Sequence, residues 1–286
     1  MGRSTKKMES LVELSGRAVA RSVAKMKEEE LSAYLALMPK DLWGTILWQL
    51  SKCNLLDRGR FVKHLLPQCA PYIDALQFTA SNAREWLYDT DVNLVVRQCP
   101  NLTQLDLSRC RHLMTPRIHH PQLKRLALLE AGRKEFNPSI DCPQLRAFAL
   151  QLQNIRVFKK QMALLATRSP LLEELHLVGP IDLKVLTIAF PNLQTLHLIG
   201  CISLRMSSIL PVVASHPRLT RVILDEFLRP ELPETLLDRG EDDTTQAREG
   251  EDEEDVEEEQ RGAPSEEEKQ VREILHRGVI FGFATL

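Results

Sequence analysis

The stretch PNLQTLHLIGC, residues 191–201, sets leucines two, five and seven places after a proline. The same cadence follows Pro71, Pro100, Pro121, Pro143, Pro170 and Pro217. The apolar triplets are Ile73/Leu76/Phe78, Leu102/Leu105/Leu107, Leu123/Leu126/Leu128, Leu145/Phe148/Leu150, Leu172/Leu175/Leu177, Leu193/Leu196/Leu198 and Leu219/Val222/Leu224. None of these positions is polar. The alternation at places five to seven is the period of a short strand with one buried face, and each such strand buries that face by stacking on its neighbours. Helix-spaced apolar residues stand before several prolines, at 93–98, 161–168 (Met162, Leu164, Leu165) and 207–215. A proline suits such a junction because it does not continue a helix and presets an extended entry to the strand.

Successive prolines are 29, 21, 22, 27, 21 and 26 residues apart. That spacing, with LxxLxL in every unit, resembles the leucine-rich repeat family. Cys110 in LDLSRCRHL and Cys201 in LHLIGCISL point to its cysteine-containing branch, while Ser81, Ala131, Gln153, Pro180 and Phe227 depart from it at the equivalent place. The resemblance implies an α/β fold: a solenoid whose parallel sheet lines a horseshoe, built of about seven degenerate repeats over residues 69–228.

Ahead of the repeats, residues 1–68 read as a small α-helical region. Leu11, Leu14, Ala18 and Val19, then Leu31, Tyr34 and Leu35, then Leu42, Ile46, Leu47 and Leu50 recur at helical spacing, and a fourth helix is expected over 58–66. SLVELSGRAV, residues 10–19, resembles the elongin-binding box of substrate receptors, with Leu11, Ser15 and Val19 in its key positions. MPKDLWGTI, residues 38–46, resembles the cullin box, with Pro39, Leu42 and Ile46 as the contact residues. In this order and spacing the pair is similar to a von Hippel-Lindau-type box, which implies elongin B, elongin C and a cullin scaffold as partners. The segment MPKDLWGTILWQLSKCNLL is also similar to the start of an F-box. That alternative implies the F-box adaptor, and a third leaves the chain a repeat-based scaffold with no ubiquitin role. Under the first two the protein is a non-catalytic substrate receptor of a ubiquitin ligase.

The repeat geometry implies that residues between the buried leucines face the concavity. There Leu129, Val178, Ile199 and Ile223 form an apolar patch beside Glu174, His176 and His197, and this patch is the expected substrate-binding surface. The two histidines share a column, but no third ligand is evident because Glu174 is offset along the strand. No metal and no cofactor are therefore expected. The pair His119-His120, between Pro116 and Pro121, reads as surface.

Charge is divided unevenly. Residues 241–269 hold fifteen acidic and three basic side chains, a net of −12, against −2 for the whole chain, so the remainder carries +10. Segment 229–269 has too little apolar surface to offset ordering and is expected to be a disordered acidic linker. The 17 residues from 270, VREILHRGVIFGFATL after Gln270, form a short apolar terminal segment expected to dock as a helix or strand on the open end of the repeats. Six cysteines without CxxC pairs read as reduced packing residues, and no signal or membrane-spanning stretch is seen, so a cytoplasmic or nuclear location is expected. No phosphate loop, GxSxG elbow or HExxH is present. An enzyme, a membrane partner and a nucleic-acid partner are not expected.

Overall fold

A computed structural model describes residues 11–78, 83–133, 135–151, 155–179, 190–201, 204–225, 228, 274, 276–277 and 279–284. The expected acidic linker, and Ser81, Gln153, Pro180 and Phe227, lie outside these. The chain divides into two compact units, 1–172 and 173–286, both α/β with parallel strands.

The first unit opens with α1 (Leu11–Lys25), α2 (Glu28–Ala36), a 3-10 turn over Lys40–Leu42 and α3 (Trp43–Lys52). A helical run follows from α4 (Arg58–Arg60) through a π-helical turn (Phe61–Leu65) to α5 (Leu66–Cys69). Leu31, Leu35, Trp43, Ile46, Leu50, Phe61 and Leu65 make its core. α1 and α3 meet closely because residue 16 lacks a side chain: a Cβ there would stand 2.7 Å from Thr45 Cγ2. The helices belong to the same unit as the first strands. Phe61, Phe78 and Trp86 pack ring against ring with centroids 5.7–6.5 Å apart, and Ser51 Oγ donates to the Gln77 carbonyl.

The strands of this unit are β1 (Ala75–Gln77), β2 (Gln104–Asp106), the short β3 (Arg117–His119), β4 (Arg125–Leu128), β5 (Ser139–Asp141) and β6 (Ala147–Gln151). β1, β2, β4 and β6 pair in that order, all parallel, with equivalent leucines in register: Leu76↔Leu105↔Leu126↔Phe148. Helices α6 (Ala83–Trp86), α7 (Asp89–Gln98) and α8 (Ile155–Arg168) occupy the connections. The long proline intervals contain these helices. The two short ones within this unit, after Pro100 and Pro121, carry β3 and β5 in their connections, and these pair parallel with each other. The second unit repeats the plan with β7 (Glu174–Val178), β8 (Thr195–Ile199), α9 (Met206–Ser215), β9 (Arg221–Asp225) and β10 (Ile280–Ala284), the strands again parallel in chain order.

Every residue of the seven apolar triplets is at most 5% exposed. The prolines have a more specific task than ending helices. In five repeats the residue before the proline accepts, through its carbonyl, the N–H of the residue two places after it, as in Cys99/Leu102, Cys142/Leu145, Ser169/Leu172, Phe190/Leu193 and His216/Leu219. Proline thus occupies the second position of a β-turn, where its fixed φ is favourable. The residue before it is buried in all seven repeats: Ala70, Cys99, His120, Cys142, Ser169, Phe190 and His216.

His120 therefore corrects the surface reading of the histidine pair. His119 is exposed, but His120 is 3% exposed, with Nε2 2.9 Å from the Cys99 carbonyl and Nδ1 accepting from the Gln122 N–H. His216 plays the matching part in the second unit, accepting from the Phe190 N–H. Side chains at this position tie one repeat to the next, and Ser169 Oγ likewise donates to the Cys142 carbonyl. A second tie recurs three places after the proline. The carbonyls of Asp74, Thr103, Lys124, Glu173 and Gln194 each take two N–H groups from the following repeat at 2.7–3.0 Å.

The terminal segment docks as a strand. Phe281 lies in register with Val222 and is buried, Ile274 is fully buried, and the Ile280 N–H donates to the Thr220 carbonyl as any further repeat would. Arg277 donates to the carbonyls of Val213, His216 and Leu219, satisfying groups at the end of α9. No helix among the described residues is long and apolar enough to cross a membrane.

Candidate functional site

The sites expected from sequence fall on two surfaces. In α1 the row against α3 is Gly16, Ala20 and Val23, which are buried. Ser15 is exposed on the neighbouring row and Val19 is half-buried; the backbone of Leu11 is helical, and its side chain lies outside the described atoms. Leu14 is 48% exposed and Leu37, between the two boxes, is 85% exposed. Pro39 is exposed, Leu42 is half-buried, and Ile46 has no exposed surface. Of that second set, Pro39 and Leu42 present atoms to solvent while Ile46 holds α3 from within.

The other surface is the solvent side of the strands. Leu129 follows β4 in the first unit and is half-buried, its N–H donating to Ser108 Oγ. The remaining six residues belong to the second unit. Register aligns Glu174 with Thr195 and Arg221, His176 with His197 and Ile223, and Val178 with Ile199. Val178, Ile199 and Ile223 are each half-buried, forming a narrow apolar strip beside the histidines.

The polar centre of that strip is tighter than the sequence reading allowed. Glu174 and His176 are two places apart on one strand and so leave the same face of the pleat. Glu174 Oε1 lies 2.7 Å from His176 Nε2 and 3.9 Å from His197 Nε2. The two imidazoles stack with centroids 3.6 Å apart and planes 14° from parallel. Burial, then the neighbouring His176 ring, pushes the His197 pKa down to about 4, with Glu174 opposing the shift and Arg221 reinforcing it. The offset of Glu174 along the strand, taken in sequence as separation, is what brings it within reach. The signal was present as the ExH spacing of residues 174–176.

Five of the six cysteines are buried, and Cys53 is half-buried. Burial raises the thiol pKa of Cys99, Cys110 and Cys201 to about 12, that of Cys142 to about 11, and that of Cys69 further still. These thiols stay protonated and poorly nucleophilic at neutral pH. Compared with protein families and with curated proteins, the sequence matches none.

Proposed function

We propose that this chain is the substrate-recognition subunit of an elongin–cullin ubiquitin ligase, non-catalytic itself and reading its target on the solvent side of the strands. Its α/β architecture is taken in this reading as a leucine-rich repeat solenoid with that side concave. The observation that carries the proposal is apolar exposure within and beside the two box-like segments, where Leu14, Leu37 and Trp48 are all 36% exposed or more, as Tyr72, Tyr88, Met114 and Ile280 are elsewhere. Isolated apolar side chains on a surface are common, but three beside two box-like segments suit helix docking on an adaptor. Leu11, Ser15 and Val19 would meet elongin C, and Pro39 and Leu42 the cullin.

The F-box adaptor reading draws on the same Pro39-initiated helix and the exposed Trp48, and one experiment separates the two. Affinity purification of the full chain with mass spectrometry recovers elongins B and C under the first reading, the F-box adaptor under the second, and neither for a plain scaffold. Leu11→Ser abolishes elongin recovery with an unchanged circular-dichroism spectrum; an intact complex would refute the box. The target surface is tested by Ile199→Arg, which on this reading prevents capture of the target while adaptor recovery persists.

A further inference from the structure

Glu174, His176 and His197 supply one carboxylate oxygen and two imidazole nitrogens from adjacent strands, and their donor atoms all lie within 4.8 Å of one another. We propose that these three residues form a binding site for a divalent transition metal, zinc foremost, with the remaining coordination position open to solvent.

The donor set is that of open zinc sites, two histidines and a carboxylate. Zinc bonds of ~2.0–2.1 Å in a tetrahedron put ligand atoms about 3.3 Å apart. The distances of 2.7 and 3.9 Å from Glu174 Oε1 straddle that value, while the two imidazoles, stacked 3.6 Å apart and 14° from parallel, must turn about their side-chain torsions for both ring nitrogens to converge on one ion. Parallel register gives the histidine Cα atoms neighbouring places on a rigid ladder, and buried Leu175, Leu177, Leu196 and Leu198 fix the strands from the opposite face. The backbone is therefore set before any metal arrives, and the imidazole planes are what binding reorients.

The charges around the site are mixed. Glu174 contributes the negative charge; Arg221 on β9 is the nearby cation that opposes a metal. Side-chain exposures of 33% for Glu174, 31% for His176 and 16% for His197 leave an entry path from solvent. Water fills the open position until an external oxygen or nitrogen donor displaces it.

The experiment uses the purified full chain, freed of metal with a chelator and titrated with Zn²⁺ against a chromophoric competitor. One equivalent binds, and Co²⁺ in its place gives visible d–d bands without the near-ultraviolet charge transfer of a thiolate ligand. His176→Ala and His197→Ala each weaken zinc by ~100-fold or more, beyond the ~10–100-fold typical of losing a group that only hydrogen-bonds a ligand. Glu174→Gln weakens it in the same direction, and Thr195→Ala on the same face leaves it unchanged. Zinc raises the melting temperature of the wild type and of Thr195→Ala, but not of the histidine variants. Absence of saturable binding, a thiolate band, or wild-type affinity in both histidine variants overturns the site. The measurement is made without adaptors, so loss of elongin recovery bears only on the receptor reading.

Discussion

Nine places after the proline the backbone turns out of the strand with φ positive: 67° at Arg109, 52° at Glu130, 102° at Gly179 and 69° at Gly200. Two repeats meet this demand with glycine, and two hold a larger residue in the left-handed region. At Gly200 an added Cβ makes only ordinary contacts, at 3.6 Å from Val178 Cγ1. The cost of Gly200→Ala is thus conformational, about 1–2 kcal/mol in urea unfolding, while Arg109→Ala, already past that cost, changes stability far less. His197 gives a second prediction at this scale. Its folded pKa of about 4 lies below the ordinary 6.5, so the unfolded chain binds the proton first as pH falls. Its stabilising contribution is complete above about pH 6.5 and is lost as pH drops toward 4. His197→Gln flattens stability against pH over that window; parallel curves for the variant and the wild type would contradict the assignment. The thiols add a third. In the native chain Cys99, Cys110, Cys142 and Cys201 resist maleimide at pH 7 and react only after unfolding, as mass spectrometry of labelled peptides reads directly.

At the scale of the element, α1 and α3 test whether close approach sets their crossing. Gly16→Ala drives a methyl against Thr45 Cγ2 and lowers the melting temperature. In a Thr45→Ala background the obstacle is gone and the same change raises stability by ~1 kcal/mol, the helix-propensity gain of alanine over glycine. The cap of α7 is a comparable unit. Asp91 accepts the Tyr88 N–H at 3.0 Å and a forked pair from Arg58, tying α4 to α7. Strands and helices were legible in the sequence because burial imposes periods of two and of about 3.6, which apolar residues record. The ladder before each proline was not. Alanine, cysteine, histidine, serine and phenylalanine fill it in turn, and what they share is an enclosed place, with the carbonyl taken into a turn in five of the seven. His120 illustrates this: flanked by prolines and polar neighbours it read as surface, yet its ring bridges two repeats. Glu174 was set aside for a comparable reason, because a column drawn through equivalent positions ignores that residues two apart on one strand share a face.

For the molecule as a whole, the last strand matters most. Truncation after Arg239 removes β10, uncovers Val222 and Leu224 along β9, and leaves the carbonyls at the end of α9 without Arg277. The truncated chain melts lower and self-associates in light scattering, since an open parallel edge invites another strand; a monodisperse product with unchanged melting would contradict the docking. The apolar character of residues 279–284 announced a liability needing cover. Its register could not be read, because parallel pairing with β9 depends on backbone groups that every residue carries alike.

β9 ends at Asp225 and β10 begins at Ile280. On a ribosome adding ~5–20 residues per second, roughly 3–11 s pass between synthesis of the two. Through that interval the nascent chain holds a sheet whose edge at β9 is still unpaired, and residues 280–284 are what end the exposure.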